Sequence, residues 1–545
     1  VAGQVVDARE LLFEVVDPTR FQWHDAAWVR PAFRDLVIYE LHVGTFTAEG
    51  TFLAVIGRLP HLRAMGVNAI ELMPIGDFPG SRNWGYDGVL IYAPARAYGT
   101  PEDLRTLVDA AHAEGIAVLL DVVYNHFGPD GNYIAQYSEA FFNEQVHTPW
   151  GAALNFDGEF SEPVREFFVR NPIYWMEEFH VDGFRLDATH AITDVSQRHI
   201  LADLTTAIHE RGGYAIAEDD RNDARLLMSQ AEGGLGFDGA WADDFHHTIR
   251  VSQTGEQASY FSAYRGTMKE VVETLRHGWL YRGQKLKRGT KRGTECSHLP
   301  PSCFIHCLSN HDQVGNRAFG ERISQRISPP GYRAISMLLC LSPYTPMLFM
   351  GQEWAASTPF LYFTEHNEQL GPLITEGRRR EFAAFPEFTN RLTLQEIPDP
   401  QDPSTFTRSK LNWEEVSEGD HARVLALYTA CLRLRREVAA FRPLSREHWE
   451  VDTLQWGAGA IRIEAENETY LLVFDLHGGH HGSLAEEPLA RLVPGVSWTA
   501  LLSSNETRFG GTGKPAFDPE TQHCDFAEPE LIVLQSKRRV GGSVA

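Results

Sequence analysis

The chain has 545 residues, of which 43% are hydrophobic and 22% are charged, so it is long enough for two or three domains with a large core. Its formal net charge of −24 argues against nucleic acid and anionic membranes as partners, because both require a basic surface. No run of about 18 apolar residues occurs, which argues against a membrane-spanning helix. The six cysteines are scattered without metal-ligand spacing, so we predict free thiols and a cytoplasmic location. The sequence assigns no metal and no cofactor.

Eight short apolar runs, each ending in polar or aromatic residues, alternate with amphipathic helical stretches. The runs lie at 36–44, 67–75, 116–126, 181–190, 214–220, 237–247, 303–312 and 345–354. Between them, a helix predicted over 100–115 begins with proline and acidic residues and ends at Gly115. Eight strand–helix repeats with nearly continuous apolar strands predict an α/β fold, the closed parallel (β/α)8 TIM barrel.

Two regions depart from this repeat. A stretch rich in Tyr, Phe, Asn and Gly predicts an inserted excursion over about 127–175, after the third strand. Beyond a helical pattern at 425–438, the sequence changes to the alternation of strands, as in 460–466 and 469–476, which predicts a C-terminal antiparallel β-sandwich. The predicted domains are a linker remnant at 1–34, the barrel at 35–440, the β domain at 441–540 and a tail at 541–545.

Charged residues stand at the end of the fourth run, "GFRLDATH" (183–190). Period-two alternation puts Arg185 and Asp187 on one face of this strand, and the C-terminal ends of barrel strands face the site. An arginine lowers the pKa of a neighbouring carboxyl group and keeps it ionised, which suits Asp187 to attack an electrophilic carbon. On this stretch alone, a structural ion pair is an equally good interpretation.

Two further runs place carboxylates at the same end of the barrel. Glu218 ends "YAIAEDD", where desolvation by small apolar neighbours would raise its pKa and keep a proton for a leaving oxygen, although a helix N-terminal acid is the alternative. His311 and Asp312 end the seventh run, in "SNHDQVGN". Two carboxylates flanking a bond, with a third supporting an oxocarbenium-like state, form the layout that glycoside hydrolysis requires.

Aromatic and imidazole side chains complete this predicted sugar site. Trp84 and Tyr86 stand beside turn glycines in "NWGYDG", where they are suited to stacking on a sugar ring. His126 ends the third run and can bond a sugar hydroxyl. For each aromatic alone, core packing is the better explanation; together with the carboxylates they predict a subsite.

Four segments resemble the motif regions of the α-amylase family of glycoside hydrolases, in order across the barrel: "DVVYNH" (121–126), "GFRLDATH" (183–190), "AIAEDD" (215–220) and "LSNHDQ" (308–313). The resemblance implies that Asp187 is the nucleophile, Glu218 the general acid/base and Asp312 the transition-state stabiliser. It also implies a subsite for the cleaved glucosyl unit, lined by Tyr86, His126, Arg185 and His311.

Within that family, the chain resembles the maltooligosyltrehalose trehalohydrolase group at 39–47, 84–88, 121–133, 243–247, 310–317, 351–360 and 409–413. The resemblance implies a maltooligosaccharide capped with trehalose as substrate, cut at the α-1,4 bond next to the trehalose. It implies maltooligosyltrehalose synthase as the partner in trehalose biosynthesis. It also implies an N-terminal β-sandwich before the barrel, so that 1–34 would be a remnant of its linker.

The same resemblance assigns substrate-binding residues. Those expected to hold the trehalose end are Asp243, Asp244, Phe245, His246 and His247. Trp84, His190, Gln313 and Asn316 complete the predicted binding set. His190 stands where ordinary amylases carry a lysine that grips a plain α-1,4 chain, so this grip is expected to differ.

Two other functions are compatible with such a barrel. A glucan-branching enzyme would use the same covalent intermediate but pass the glucosyl unit to a sugar hydroxyl; "EDDRND" and "NHDQVGN" look unlike that group. A catalytically inactive carbohydrate-binding or scaffold protein would generally lack one of the three carboxylates, and here all three are present.

Overall fold

The computed structural model describes residues 3–7, 12–286, 289–389 and 393–538; the predicted tail at 541–545 lies outside them. Its centre is a closed barrel of eight parallel strands, as the sequence predicts. In chain order the strands are Ile38–Leu41, Ala69–Leu72, Ala117–Val122, Gly183–Leu186, Tyr214–Ala217, Gly239–Trp241, Phe304–Cys307 and Thr345–Phe349. All but the first residue of the fifth strand are buried, because helices cover the outer face and side chains fill the interior.

Helices surround the barrel and fill its connections. The longer ones are Pro101–Ala113, Ser161–Phe179, Ile200–His209, Asp243–Thr254, Met268–His277, Pro329–Leu341, Leu370–Glu381 and Gly419–Glu437. The shorter ones are Val43–Phe46, Phe52–Ile56, Leu59–Met65, Ile134–Tyr137, His311–Gly315, Thr393–Glu396 and Pro403–Arg408. The helix predicted over 100–115 is present, and a capping box between Thr100 and Asp103 fixes its start.

The excursion after the third strand is shorter than the sequence suggests. It contains the helix Ile134–Tyr137 and a hairpin of Phe142–Thr148 with Gly151–Leu154. The rest of the expected stretch belongs to the barrel helix Ser161–Phe179, which packs on Ile200–His209. Pro172 lies inside this helix, so the sequence there reads less clearly as helical.

Antiparallel strands follow the last barrel helix, as predicted. A five-stranded sheet has the order Trp449–Thr453, Gly459–Glu464, Thr469–Asp475, Glu530–Arg538 and Val496–Ser503. A three-stranded sheet contains His481–Ser483, His523–Asp525 and Phe517–Asp518. Val473 and Ile532 of the first sheet share a core with Cys524 of the second, so the two sheets enclose a separate hydrophobic interior.

The segment that precedes the barrel lies across its bottom, at the N-terminal ends of the strands. Trp28 Nε1 and Arg30 Nε both donate to Asp182 Oδ1, at 2.8 and 2.7 Å. A separate hairpin joins Gly3–Asp7 to Leu12–Val15, and two others join Gly76–Asp77 to Leu90–Pro94 and Gln284–Lys285 to Lys291–Arg292. All six cysteines are free thiols. Of the described helices, none has the length and apolar character needed to cross a bilayer.

Candidate active site

A buried arginine organises the mouth of the barrel. Arg185 Nη1 donates to both oxygens of Asp121 and to Asp187 Oδ1, each at 2.8 Å. Its Nη2 lies 3.3 Å from Glu218 Oε2, and its guanidinium lies 4.2 Å from the Trp241 ring centroid. Parallel register places Arg185 beside Asp121 on the neighbouring strand. One cation therefore contacts both carboxylates predicted to do the chemistry.

The backbone after the predicted nucleophile is held in an unusual conformation. Ala188 has φ 41° and ψ 51°, in the left-handed region that residues other than glycine seldom adopt. Its N–H donates to Glu218 Oε2 at 2.5 Å. This turn thus links Asp187, at the end of the fourth strand, to the carboxyl group at the end of the fifth. Such local strain is typical of functional sites.

Glu218 has the protonation behaviour that the sequence predicts. Burial raises its pKa to about 8; Arg185 opposes this shift, while Asp187 and Asp312 add to it. A carboxyl group with this pKa holds its proton at neutral pH and can deliver it to a leaving oxygen. Its side chain is 19% exposed, so a substrate can reach it.

A second cluster is centred on His311. Its Nε2 lies 2.9 Å from the Tyr86 hydroxyl, which donates to Asp121 Oδ2 at 2.6 Å. The Tyr86 and His311 rings are stacked, with their centroids 5.2 Å apart. On the opposite side, Glu40 accepts from the His311 backbone and contacts Nδ1. These contacts join the first, third, fourth and seventh strands into one polar network.

The third predicted carboxylate lies at the edge of this network. Asp312 Oδ2 is 3.6 Å from His311 Nε2, and 38% of the Asp312 side chain is exposed. Asn316 Nδ2 donates to Asp312 Oδ1 at 3.0 Å, and Arg378 donates to the amide oxygen of Asn316. Gln313 is half-buried on the same short helix, His311–Gly315. Asp312 is therefore oriented by neighbours and open to a ligand.

Two residues expected to contact sugar have interior positions. Trp84 is only 3% exposed; its Nε1 donates to Leu361 O, and its ring meets the His311 ring edge-to-face. The structure therefore places Trp84 behind His311, where its ring also packs against Phe360 and Tyr362. His126 is also buried, with Nε2 3.1 Å from Tyr86 O and its ring stacked on Trp150. Burial lowers the pKa of His126, which favours a neutral ring.

The segment 243–247 forms the first turns of a helix, and most of it faces inward. Asp243 is half-buried and pairs with the buried His246 at 3.1 Å. Asp244 is buried, accepting from Asn222, Tyr264 and the backbone N–H groups of Leu280 and Tyr281.

Phe245 stacks on the His306 ring, and His247 contacts the Tyr264 hydroxyl. Both side chains are buried, as is Asp244. Of the five residues expected to hold trehalose, only Asp243 keeps a partly exposed side chain. The helical period explains this correction, since consecutive residues cannot all face one ligand.

His190 is exposed near the mouth. It lies with Asp219 and Asp220 in a group whose possible ligand atoms are within 4.8 Å of one another. Asp219, however, already accepts from Arg221 Nη2 at 2.5 Å and from the Thr189 hydroxyl at 3.0 Å. We assign no metal to this group, because exposed acidic groups are common without one.

A cavity of about 1040 Å³ lies between His126 and the excursion. Its wall includes Trp150 and Phe160, which are 47% and 70% exposed. Exposed aromatic rings beside a polar mouth can stack on sugar rings. The sequence analysis did not include Trp150, because the excursion contains no recognisable motif. The only available signal was a large aromatic residue in a polar segment.

Sequence reasoning also left out Glu40, Asp121 and Trp241 as individual site residues. Each follows or interrupts an apolar run, and each contacts Arg185 or His311. The signal for Glu40 was an acid inside "VIYEL", a strand with no solvent-facing side.

Together, the barrel and the three carboxylates at its mouth define a glycoside hydrolase of the α-amylase class. The family model of the α-amylase catalytic domain matches residues 16–169. A malto-oligosyltrehalose trehalohydrolase of Deinococcus radiodurans is 46% identical over 443 residues, covering 80% of this chain and 71% of that protein. One of Saccharolobus solfataricus is 43% identical over 455 residues, covering 83% and 77%. The chain belongs to the malto-oligosyltrehalose trehalohydrolase family of glycosidases.

Comparison with solved structures supports the same fold. A structure described as a putative α-amylase from Salmonella typhimurium matches with a TM-score of 0.84 and 35% identity. The match covers 96% of this chain and 85% of that one. The barrel and the C-terminal β region are therefore both shared with this neighbour.

Proposed function

We propose that this glycosidase hydrolyses the α-1,4-glucosidic bond next to the terminal trehalose of maltooligosyltrehalose and releases trehalose. The observation that carries the proposal is the contact of one arginine, Arg185, with both Asp187 and Glu218. The identity of 40–46% to relatives named malto-oligosyltrehalose trehalohydrolase supports the substrate. It also favours hydrolysis over branching or a purely binding role.

In the first step, an Asp187 oxygen attacks the anomeric carbon while Glu218 gives its proton to the glycosidic oxygen. The carbon–oxygen bond breaks, trehalose leaves with the proton, and the sugar is held covalently on Asp187. The pKa of about 8 keeps Glu218 protonated at neutral pH. The ion pair with Arg185 orients the Asp187 carboxylate at the reacting face.

In the second step, Glu218 takes a proton from water and the hydroxide oxygen attacks the same carbon. Asp187 is released, and the double displacement retains the anomeric configuration. Asp312 stabilises the positive charge that develops in each transition state. Tyr86 and His311 fix the glucosyl unit beside these carboxylates, and the buried His126 supports the Tyr86 backbone.

The substrate extends in two directions from the cut. The cavity lined by Trp150 takes the maltooligosyl chain, because it adjoins His126 and offers an exposed aromatic surface. Asp243, His190, Gln313 and Asn316 form the polar side toward trehalose. Asp244, Phe245, His246 and His247 shape that side from beneath, and hydrogen bonds there distinguish the α,α-1,1 linkage from an ordinary reducing end.

A trehalose-capped glucan must be made before it can be cut. We therefore place this enzyme after maltooligosyltrehalose synthase in trehalose biosynthesis. Its six free thiols support a reducing compartment such as the cytoplasm.

Product analysis tests the proposal. The chain is incubated with maltopentaose and, in parallel, with its trehalose-capped counterpart, and the products are separated by chromatography. Rapid release of free trehalose from the capped substrate, with slow cleavage of maltopentaose, is expected. New α-1,6 branches would instead indicate transfer, and no reaction with either substrate would indicate a binding protein. Asp187→Asn serves as the inactive control.

A further inference from the structure

Two glutamates lie side by side in the barrel interior, beneath the carboxylates of the site. Glu40 is on the first strand and Glu71 on the second, and parallel register pairs them directly. Both residues are 1% exposed. A buried carboxylate is costly unless it is paired or protonated, so the two side chains cannot easily both be anions.

Their contacts differ completely. Glu40 Oε2 accepts from the His311 backbone N–H at 3.0 Å, and Oε1 lies 2.5 Å from His311 Nδ1. Neither oxygen of Glu71 has a hydrogen-bond partner among the described residues. Two chemically identical groups on adjacent strands therefore have different environments: both oxygens of Glu40 contact His311, whereas those of Glu71 have no hydrogen-bond partner in the part of the chain that the structure describes.

The imidazole between Glu40 and the substrate pocket is enclosed by polar groups. His311 Nε2 faces the Tyr86 hydroxyl at 2.9 Å and Asp312 Oδ2 at 3.6 Å. The charged or titratable groups that face His311 from the surrounding elements are Glu40, His42, Glu71, Tyr86, Asp121, Arg185 and Asp312. The carboxylates on both sides of the ring favour a proton on each nitrogen.

The electrostatics agree with this geometry. Burial lowers the pKa of His311, but Asp312 and Glu40 outweigh it and raise the pKa to about 9. Burial, together with the charges of Glu40 and Asp121, raises the pKa of Glu71 well above its ordinary value. One glutamate thus has a cationic partner, and the other has reason to keep its proton.

We propose that Glu40 is a positioning residue that holds His311 as an imidazolium against Asp312 and Tyr86, whereas Glu71 is a neutral carboxylic acid with no part in the reaction. With a proton on each ring nitrogen, His311 donates toward the pocket and fixes the orientation of Asp312. The effect on turnover rests on the proposed function; the protonation state of His311 does not.

The matched variants are Glu40→Gln and Glu71→Gln, which replace a carboxyl group with an amide of nearly the same shape at adjacent positions. Under the proposal only E40Q removes a negative charge. At pH 7 we expect kcat for trehalose release to fall about tenfold or more in E40Q. It should recover partly as the pH is lowered and His311 regains its proton. E71Q should stay within about twofold of wild type, with an unchanged pH profile.

Histidine NMR supplies a readout independent of activity. In protein labelled at histidine Cε1, with H311Q used for assignment, wild-type His311 should be an imidazolium at pH 7.5. Its titration midpoint should fall by at least one pH unit in E40Q and remain unchanged in E71Q.

A neutral His311 in the wild type at pH 7.5 would overturn the proposal, even if E40Q does not fold. An equal downward shift in both variants would overturn it too. If the wild type releases no trehalose, the proposed function fails, whereas the titration still decides the role of Glu40.

Discussion

The two ends of the barrel both contain buried charged networks, but the networks are built differently. At the bottom, Asp182 Oδ1 accepts from Trp28 and Arg30, and Oδ2 accepts from the Val118 N–H and contacts His112. The other ring nitrogen of His112 is 2.9 Å from Asp25. The four acceptor positions of the Asp182 carboxylate are therefore occupied by protein groups.

At the mouth, by contrast, the carboxylate side chains are partly exposed to solvent. The side chains of Asp187, Glu218 and Asp312 are 12%, 19% and 38% exposed, whereas those of Asp182 and His112 are 0% and 1% exposed. Because protein groups occupy every acceptor position of Asp182, no ligand can bind there, and the bottom network stabilises the fold. Partial coordination at the mouth leaves carboxylate oxygens for substrate.

The largest effect should come from Asp187→Asn, which removes the proposed nucleophile. We expect kcat to fall by about 10³-fold or more, because the covalent route is lost. Substrate binding and melting temperature should stay near wild type. Turnover assays, isothermal calorimetry and thermal melts measure these three quantities. Near-normal turnover would contradict the assignment of Asp187 as the nucleophile.

The opposite pattern is expected for Asp182→Ala at the bottom. Removing this carboxylate leaves Arg30 and a buried His112 without their partner, which should cost about 3–5 kcal/mol of unfolding free energy. Denaturant unfolding measures the loss. The kcat of the folded enzyme should remain within about twofold, and a kcat loss as large as that of D187N would erase the distinction between the ends.

A smaller effect is expected for Arg378→Lys. Arg378 donates to the Asn316 amide oxygen, and Asn316 donates to Asp312, so a lysine would loosen the stabilising carboxylate without removing it. We expect kcat to fall about tenfold with KM nearly unchanged. Steady-state kinetics on the capped substrate measures this, with Arg379→Lys as the control because Arg379 is exposed on the same helix.

The mildest test uses pH alone. Because Glu218 must be protonated to act as an acid, kcat/KM should fall as the pH rises through about 8. The same raised pKa links folding to pH. The contribution of Glu218 to the free energy of unfolding is fully present below its ordinary pKa of about 4.5 and is lost as the pH rises through about 8.

E218Q should therefore melt above wild type at pH 9 and together with it at pH 4. A wild-type activity profile that stays flat to pH 9.5 would show that another group supplies the proton.

The same comparison shows what sequence can and cannot predict. Alternation correctly put Arg185 and Asp187 on one face, and the order of apolar runs predicted all eight barrel strands. The burial of individual side chains was not predictable. Trp84 is held in the interior by a hydrogen bond to Leu361, and Asp244 by one from Tyr264, and neither contact follows from local sequence.

Pairing across strands was not predictable either. The contact between Glu40 and His311 joins positions 271 residues apart, so neither local spacing nor periodicity indicates it. The protonation of such buried groups follows from neighbours that only the closed barrel brings together.

The most direct test of the central claim is the anomeric configuration of the maltooligosaccharide at the moment it is released. Proton NMR is recorded within seconds of adding enzyme to trehalose-capped maltopentaose, before mutarotation mixes the anomers. Double displacement through Asp187 and Glu218 predicts that the new reducing end appears first as the α-anomer. Initial appearance of the β-anomer would contradict the covalent mechanism and make Asp187 something other than the nucleophile.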